Sequence, residues 1–177
     1  MMASKFLLLG LYGGTFDPIH LGHFQIAEEL LGIINFHQLI FIPSGTPRLR
    51  HAPSASMTQR AEMIGLAIQN MPMFTLDERE IRRKGISVSV DTLQEYRTER
   101  PDQEAVCFIL GMDAFMKLPK WQNWQMLFEL CHLIIVNRPG YRTVADDDLS
   151  LVRVLTAFLI MYCDSLKEFG LYGFFVC

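Results

Sequence analysis

Two hydrophobic rhythms alternate along the chain. Short, nearly continuous apolar runs at Lys5 to Tyr12, Gln38 to Ile42, Met73 to Leu76, Ala105 to Leu110 and His132 to Val136 are too brief for helices and read as buried strands. Between them, apolar residues recur at helical spacing. Leu21 to Leu31 is predicted as a helix stopped by Gly32, Thr58 to Asn70 as one that ends before Pro72, and Val90 to Glu99 and Trp121 to Leu130 as two more. Pro43-Ser44-Gly45 ends the second strand, and residues 46–56 form a loop carrying Arg48 and Arg50. Strands alternating with helices predict an α/β fold: a Rossmann-like, doubly wound parallel sheet with right-handed crossovers. Ligands of such a sheet belong at the carboxyl ends of its strands. No internal repeat or linker interrupts the pattern, so one domain is expected over 1–177. Leu149 to Cys163 is the most apolar stretch. It is too short and, with Arg153, too charged for a membrane span, and is expected to be a buried helix.

The densest chemistry lies at the first strand–helix junction, Gly13-Gly14-Thr15-Phe16-Asp17-Pro18-Ile19-His20-Leu21-Gly22-His23. Gly13 and Gly14 allow a sharp turn and close approach of a ligand. A helix starting near Leu21 aims free N–H groups and its positive dipole end at an anion. His20 and His23 are one turn apart, so both imidazoles fall on one side. Gly22 between them leaves room for a phosphate. Two other readings stand beside this one. The stretch is a glycine turn with two solvent histidines, or His20 and His23 begin a metal site, which needs a third or fourth ligand and has no evident local partner.

Composition narrows the classes of function. The chain has 177 residues, enough for one domain with a sizeable core, and a formal net charge of −3. Without a basic surplus, nucleic acid is not an expected partner, and phosphate binding must be local. Cys107, Cys131, Cys163 and Cys177 are scattered, with neither zinc nor redox spacing, as reduced thiols would be. Met1 to Leu9 passes straight into the turn and lacks a signal-peptide pattern, so a cytoplasmic location is expected.

The contiguous Gly-Gly-Thr-Phe-Asp-Pro…His-x-Gly-His resembles the signature of the nucleotidyltransferase superfamily of adenylyltransferases. With His at position 20, it is most similar to the bacterial nicotinate-nucleotide adenylyltransferases. Gly111-Met112-Asp113, Leu118-Pro119-Lys120-Trp121 and Asn137-Arg138-Pro139-Gly140 resemble further segments of that family. Val88-Ser89-Val90-Asp91-Thr92-Leu93 stands where the family has Tyr-Thr-Ile-Asp-Thr-Leu, with Val88 in place of the aromatic. Leu49 replaces a family histidine in the loop after the second strand, and Arg50 keeps the cation that follows it.

The resemblance implies adenylyl transfer from ATP to nicotinate mononucleotide, in the pathway of NAD biosynthesis. Catalytic roles fall to His20, His23 and Thr15. ATP would be bound by Gly13, Gly14, Thr15, Phe16, His20, Gly22, His23, Gly111 and Asp113. The acceptor would be bound by Ser89, Trp121, Arg50 and Arg138. Mg²⁺ would arrive with ATP, with no dedicated protein site. The partners are those two nucleotides, with no membrane and with homo-oligomer formation open. Asp113 also reads as an ordinary helix N-cap, Trp121 as a core residue, and Arg50 as a solvated loop cation. The family's later Ser/Thr-x-x-Arg segment, which holds the β- and γ-phosphates, has no counterpart after a final strand at Leu171 to Val176. A chain impaired for that reason, an enzyme for another phosphorylated acceptor such as phosphopantetheine, and a non-catalytic nucleotide-binding remnant are the rival readings.

Overall fold

A computed structural model of the chain describes residues 7–47, 52–83, 85–100 and 104–136, and the backbone of 174–176. The apolar runs form strands β1 (Leu7–Gly14), β2 (Phe36–Pro43), β3 (Phe74–Leu76), β4 (Glu104–Gly111), β5 (His132–Val136) and β6 (Phe174–Val176). They make one six-stranded sheet in the order β3-β2-β1-β4-β5-β6. The first five are parallel, with Leu11 of β1 opposite Ile40 of β2 and Phe108 of β4. The chain winds outward from β1 through β2 to β3, then crosses back to β4. The order therefore reverses between β1 and β4, which leaves a crevice above their carboxyl ends.

Both faces are covered, which is why the strands read as continuous apolar runs rather than alternating ones. Leu9, Leu11, Ile42, Val106, Phe108, Leu110, Leu133 and Ile135 face one core, with Val90, Leu93 and Tyr96 of helix α4 (Ser89–Glu99) and Leu127 of α6 (Leu127–Leu130). Tyr12, Leu39, Phe41, Cys107, Ile109 and Ile134 face the other, with Ala27 and Leu30 of α1 (Leu21–Ile33) and Ile64 and Ile68 of α2 (Met57–Ile68). Two short helices, α3 (Arg79–Arg82) and α5 (Met112–Phe115), went unpredicted because four residues carry no readable period.

Four expectations need correction. Helix α1 does not stop at Gly32. It runs to Ile33 and ends where Ile34 turns extended, since Gly32 does not take the left-handed φ of a helix-terminating glycine. The helix expected over Trp121–Leu130 is broken. A 3₁₀ turn at Leu118–Lys120 ends at Trp121, Asn123 takes a left-handed φ of 54°, and a second 3₁₀ turn at Trp124–Met126 precedes α6. Asparagine tolerates that conformation, so helical periodicity there concealed a turn. The turn after β1 does not fall on the two glycines, which finish the strand. Phe16 makes it instead, with φ at 49°. Last, β6 pairs antiparallel with β5, an edge arrangement that parallel sheets often carry.

The expected helix over Leu149 to Cys163, and Leu49, Arg50 and Arg138, lie outside the described residues. Among those described, no helix is long and apolar enough to cross a membrane, and Cys107 and Cys131 are buried.

Candidate active site

His20 and His23 build the start of α1 from their own rings. His20 is the N-cap, and its Nδ1 accepts the Gly22 amide at 3.1 Å. The His23 Nδ1 reaches back to accept the His20 amide at 3.3 Å. This is a capping box made by two imidazoles. Each Nδ1 is used as an acceptor, so the network assigns the proton of each neutral ring to Nε2. The rings lie against each other with centroids 3.9 Å apart, and Phe16 meets His23 edge-on at 5.0 Å. Gly22 serves this cap. A Cβ there would come within 3.1 Å of the His20 ring, so the space attributed to a phosphate is partly filled by the imidazole. Gly13 and Gly14 are likewise needed for packing. A Cβ would stand 2.9 Å from the Phe108 ring at Gly13 and 2.9 Å from the Phe16 ring at Gly14.

The turn is braced from α2. Asp17 accepts the amides of Ser54 and Ala55 at 2.6 and 2.9 Å, and these bonds hold its carboxyl below the usual carboxylate range. The Arg60 side chain is fully buried and donates to the Thr15 carbonyl at 2.6 Å and the Gly45 carbonyl at 3.0 Å. Arg60 thus joins the loop after β1 to the loop after β2. Neither role was predicted. The signal was legible in the order Arg60, Ile64, Ile68, which puts an arginine on the apolar stripe of α2.

Residues 85–89 form a second wall. Ile86 bridges Thr46, and the Ser87 amide donates to the Thr46 carbonyl at 3.1 Å. The Ser87 hydroxyl accepts the Gly45 amide at 2.7 Å and donates to Glu80. Burial pushes the Glu80 carboxyl above its ordinary range, against hydrogen bonds from Thr92 and Ser87 and the nearby Arg83. Ser89 opens α4 at its N1 position.

The third side is built after β4. Gly111 is the N-cap of α5, so Asp113 sits within its first turn and is not the cap. A Cβ on Gly111 would stand 2.7 Å from the Asp113 carboxylate, so the glycine gives that carboxylate room to fold back. Trp121 packs against the core and also lines the cleft.

These walls enclose a cleft of about 1060 Å³ at the carboxyl ends of β1, β2 and β4. That is at the upper end of the range for ligand pockets. The cleft brings together Gly13, Gly14, Thr15, Phe16, His20, His23, Ser89, Gly111, Asp113 and Trp121. Gly22 does not line it. Glu80, Ser44, Ser87, Lys117 and Lys120 do, and the sequence reading had not assigned them to a site. No group of three or more His, Cys, Asp or Glu side chains among the described residues could hold a metal ion.

Residues 11–167 match the family described as cytidylyltransferase-like. The chain belongs to that family. It is 42% identical over 140 residues to a probable nicotinate-nucleotide adenylyltransferase of Klebsiella pneumoniae subsp. pneumoniae, across 79% of this chain and 65% of the relative. A protein of the same description from Yersinia pestis is 40% identical over 139 residues, across 78% of this chain and 63% of the relative. The chain thus spans just under two thirds of the length of these curated relatives. Among solved structures, it resembles the Plasmodium falciparum nicotinic acid mononucleotide adenylyltransferase complexed with NaAD. The TM-score is 0.67 at 20% identity, over 83% of this chain and 70% of that one. The same enzyme complexed with APC gives a TM-score of 0.64 at 19% identity, with the same coverage. These structural likenesses establish the fold: a five-stranded parallel sheet with flanking helices, extended here by an antiparallel edge.

Proposed function

We propose that this chain, as one nucleotidyltransferase unit, transfers the adenylyl group of ATP to nicotinate mononucleotide, releasing pyrophosphate and forming nicotinate adenine dinucleotide. The observation that carries the reading is the three-sided cleft. On one side is a helix start with two histidines. On the others are Ser87 to Ser89 and the Trp121 indole, in a family member about 40% identical to proteins described as nicotinate-nucleotide adenylyltransferases.

In the proposed reaction, a phosphate oxygen of the mononucleotide attacks the α-phosphorus of ATP. The bond from α-phosphorus to the bridging oxygen breaks, and pyrophosphate leaves with the electron pair. No side chain need act as nucleophile, and catalysis is positioning and charge stabilisation. His20 and His23, each carrying its proton on Nε2, are suited to donate to the phosphates as charge shifts toward the leaving group. Thr15, held through its carbonyl by Arg60, positions the triphosphate. Gly111 and Asp113 offer a close backbone approach and an acceptor for nucleoside hydroxyls. Ser89 and Trp121 suit a flat, electron-poor ring bearing a carboxylate. Mg²⁺ enters as the counter-ion of ATP, and the compartment that suits the reaction is the cytoplasm. Pyrophosphate release from ATP, measured with nicotinate mononucleotide, nicotinamide mononucleotide and phosphopantetheine as separate acceptors, tests the reading. Turnover should be fastest with the first, and a preference for phosphopantetheine would overturn it.

A further inference from the structure

We propose that Glu80 is a positioning residue for the acceptor: its buried carboxylate gathers two hydroxyl donors and so holds the wall made by residues 85–89 against the loop after β2. This rests on the reading of that wall as the acceptor side of the cleft.

The argument is one of hydrogen-bond polarity. Glu80 is 7% exposed and lines the cleft. Thr92, itself 1% exposed, donates its hydroxyl to Glu80 Oε1 at 2.8 Å while accepting from Arg83 Nη1 at 3.2 Å. Ser87 accepts the Gly45 amide at 2.7 Å, so its own proton is free to go to Glu80. Both hydroxyls therefore point their protons inward, and the group between them must accept twice. A carboxylate does this, whereas an amide presents a donor to one of the two. Gly45 is fixed at both ends of its residue: its amide runs to Ser87 and its carbonyl accepts from the buried Arg60 at 3.0 Å. A Cβ at Gly45 would also run into the Glu80 carbonyl oxygen, so the loop lies directly on the backbone it is tied to. Through Arg60 the same chain of bonds reaches the Thr15 carbonyl. Glu80 thus sets where Ser87 to Ser89 stand relative to the phosphate turn, without having to touch the reacting atoms.

The test compares the full chain with Glu80→Ala, Glu80→Gln and Ser87→Ala. KM for ATP and for nicotinate mononucleotide, kcat, and amide exchange at Gly45 by NMR are read for each. Loss of a buried, charge-assisted bond predicts a rise of roughly ten- to a hundredfold in KM for the acceptor in Glu80→Ala. KM for ATP should change by less than about twofold, as expected when a loss falls on binding one substrate. Glu80→Gln should lie between, since one of the two hydroxyls meets the wrong polarity. Gly45 exchange should quicken by about tenfold or more in the Ala variants, while amides of β1 and β4 stay protected, the pattern of local opening. Equal rises in both KM values, or a Gly45 amide as protected as in the parent, would overturn the proposal. If Glu80→Ala does not fold, Glu80→Gln and Ser87→Ala decide by the same two readouts. If the parent uses a different acceptor, the functional reading fails by itself. Glu80 is then judged on that acceptor's KM, and on Gly45 exchange alone if the parent turns over none.

Discussion

The His20 Nδ1 is occupied by the Gly22 amide at 3.1 Å, so in the proposed reaction the ring caps the helix with one nitrogen and meets the phosphates with the other. Asparagine can cap through its short side-chain oxygen, but its amide donor lies closer to the backbone and does not reach the position of Nε2–H. His20→Asn is therefore expected to keep stability within about 0.5 kcal/mol, while His20→Ala loses about 1 kcal/mol of cap energy. Both should lose about 10²–10³ in turnover, as should His23→Ala, the usual effect of removing one preorganised donor. Near-normal turnover in His20→Asn, measured by pyrophosphate release beside urea melts, would remove Nε2 from the mechanism. The glycines divide by what surrounds them. Gly13→Ala and Gly14→Ala would press a methyl into the Phe108 and Phe16 rings and should each cost about 1–3 kcal/mol in the same melts. The histidines and glycines could be found in the sequence because they lie in one contiguous run. What the glycines are for could not, since Phe108 and Phe16 reach them only through the sheet and the turn. Arg60 and Glu80 escaped for the same reason: their partners Thr15, Gly45, Ser87 and Thr92 are distant in sequence or hidden in ordinary polar positions.

Between elements, α3 is fastened to α4 by a cluster around Tyr96. Arg79 lies over the Tyr96 ring at 3.8 Å, bonds Asp77 at 2.7 Å and reaches Glu99 at 3.0 Å, while the Tyr96 hydroxyl donates to Asp77 at 2.6 Å. Burial raises the Asp77 carboxyl, but the bonds from Tyr96 and from the Arg79 amide and side chain outweigh it and leave it low. A carboxylate with a depressed folded pKa adds stability above its unfolded value, about 3.9. That contribution is lost as pH falls through the lower folded value. Asp77→Asn should therefore be less stable than the parent by about 1–3 kcal/mol at pH 7, and the gap should close below about pH 4. Urea melts across that range check it, and a gap unchanged at pH 3 would remove Asp77 from the account. Glu80 has the opposite sign. Its raised folded pKa means that its burial costs stability as pH climbs above the unfolded value of about 4.3. Helix α1 offers a plainer test. Gly32 is inside the helix with open space at its Cβ, so Gly32→Ala should stabilise by about 0.5–1 kcal/mol. At this scale the sequence was readable where apolar period and length agreed, as in β4 and α4. It misled where composition kept a helical rhythm through a break, as at Asn123.

Over the whole molecule, the parallel order was predictable because each apolar run is separated by a helix-length crossover. The antiparallel turn of β6 was not, since three residues carry no direction in their pattern. What the sheet order adds is a cleft lined from both halves: the turn after β1, the β2 loop and Ser87 to Ser89 before the chain crosses back, and Gly111, Asp113 and Trp121 after it. A ligand filling that cleft ties the two halves together and binds only the native chain. It should stabilise by mass action, about 2.7 kcal/mol at a hundredfold excess over Kd. For a domain of this length each kcal/mol moves Tm by about 2–4 °C, so a shift of roughly 5–10 °C is expected with nicotinate mononucleotide. Phosphopantetheine at equal concentration should do less, because it has no flat ring for the Trp121 indole. A non-hydrolysable ATP analogue should add its own shift to that of the mononucleotide, since the proposed reaction assigns the two to different residues of the cleft. If phosphopantetheine gives the larger shift, the pyridine acceptor is rejected and the adenylyl side is untouched. If the ATP analogue and the mononucleotide each shift Tm alone but not together, they compete for the same residues, and the proposed division of the cleft between them is wrong.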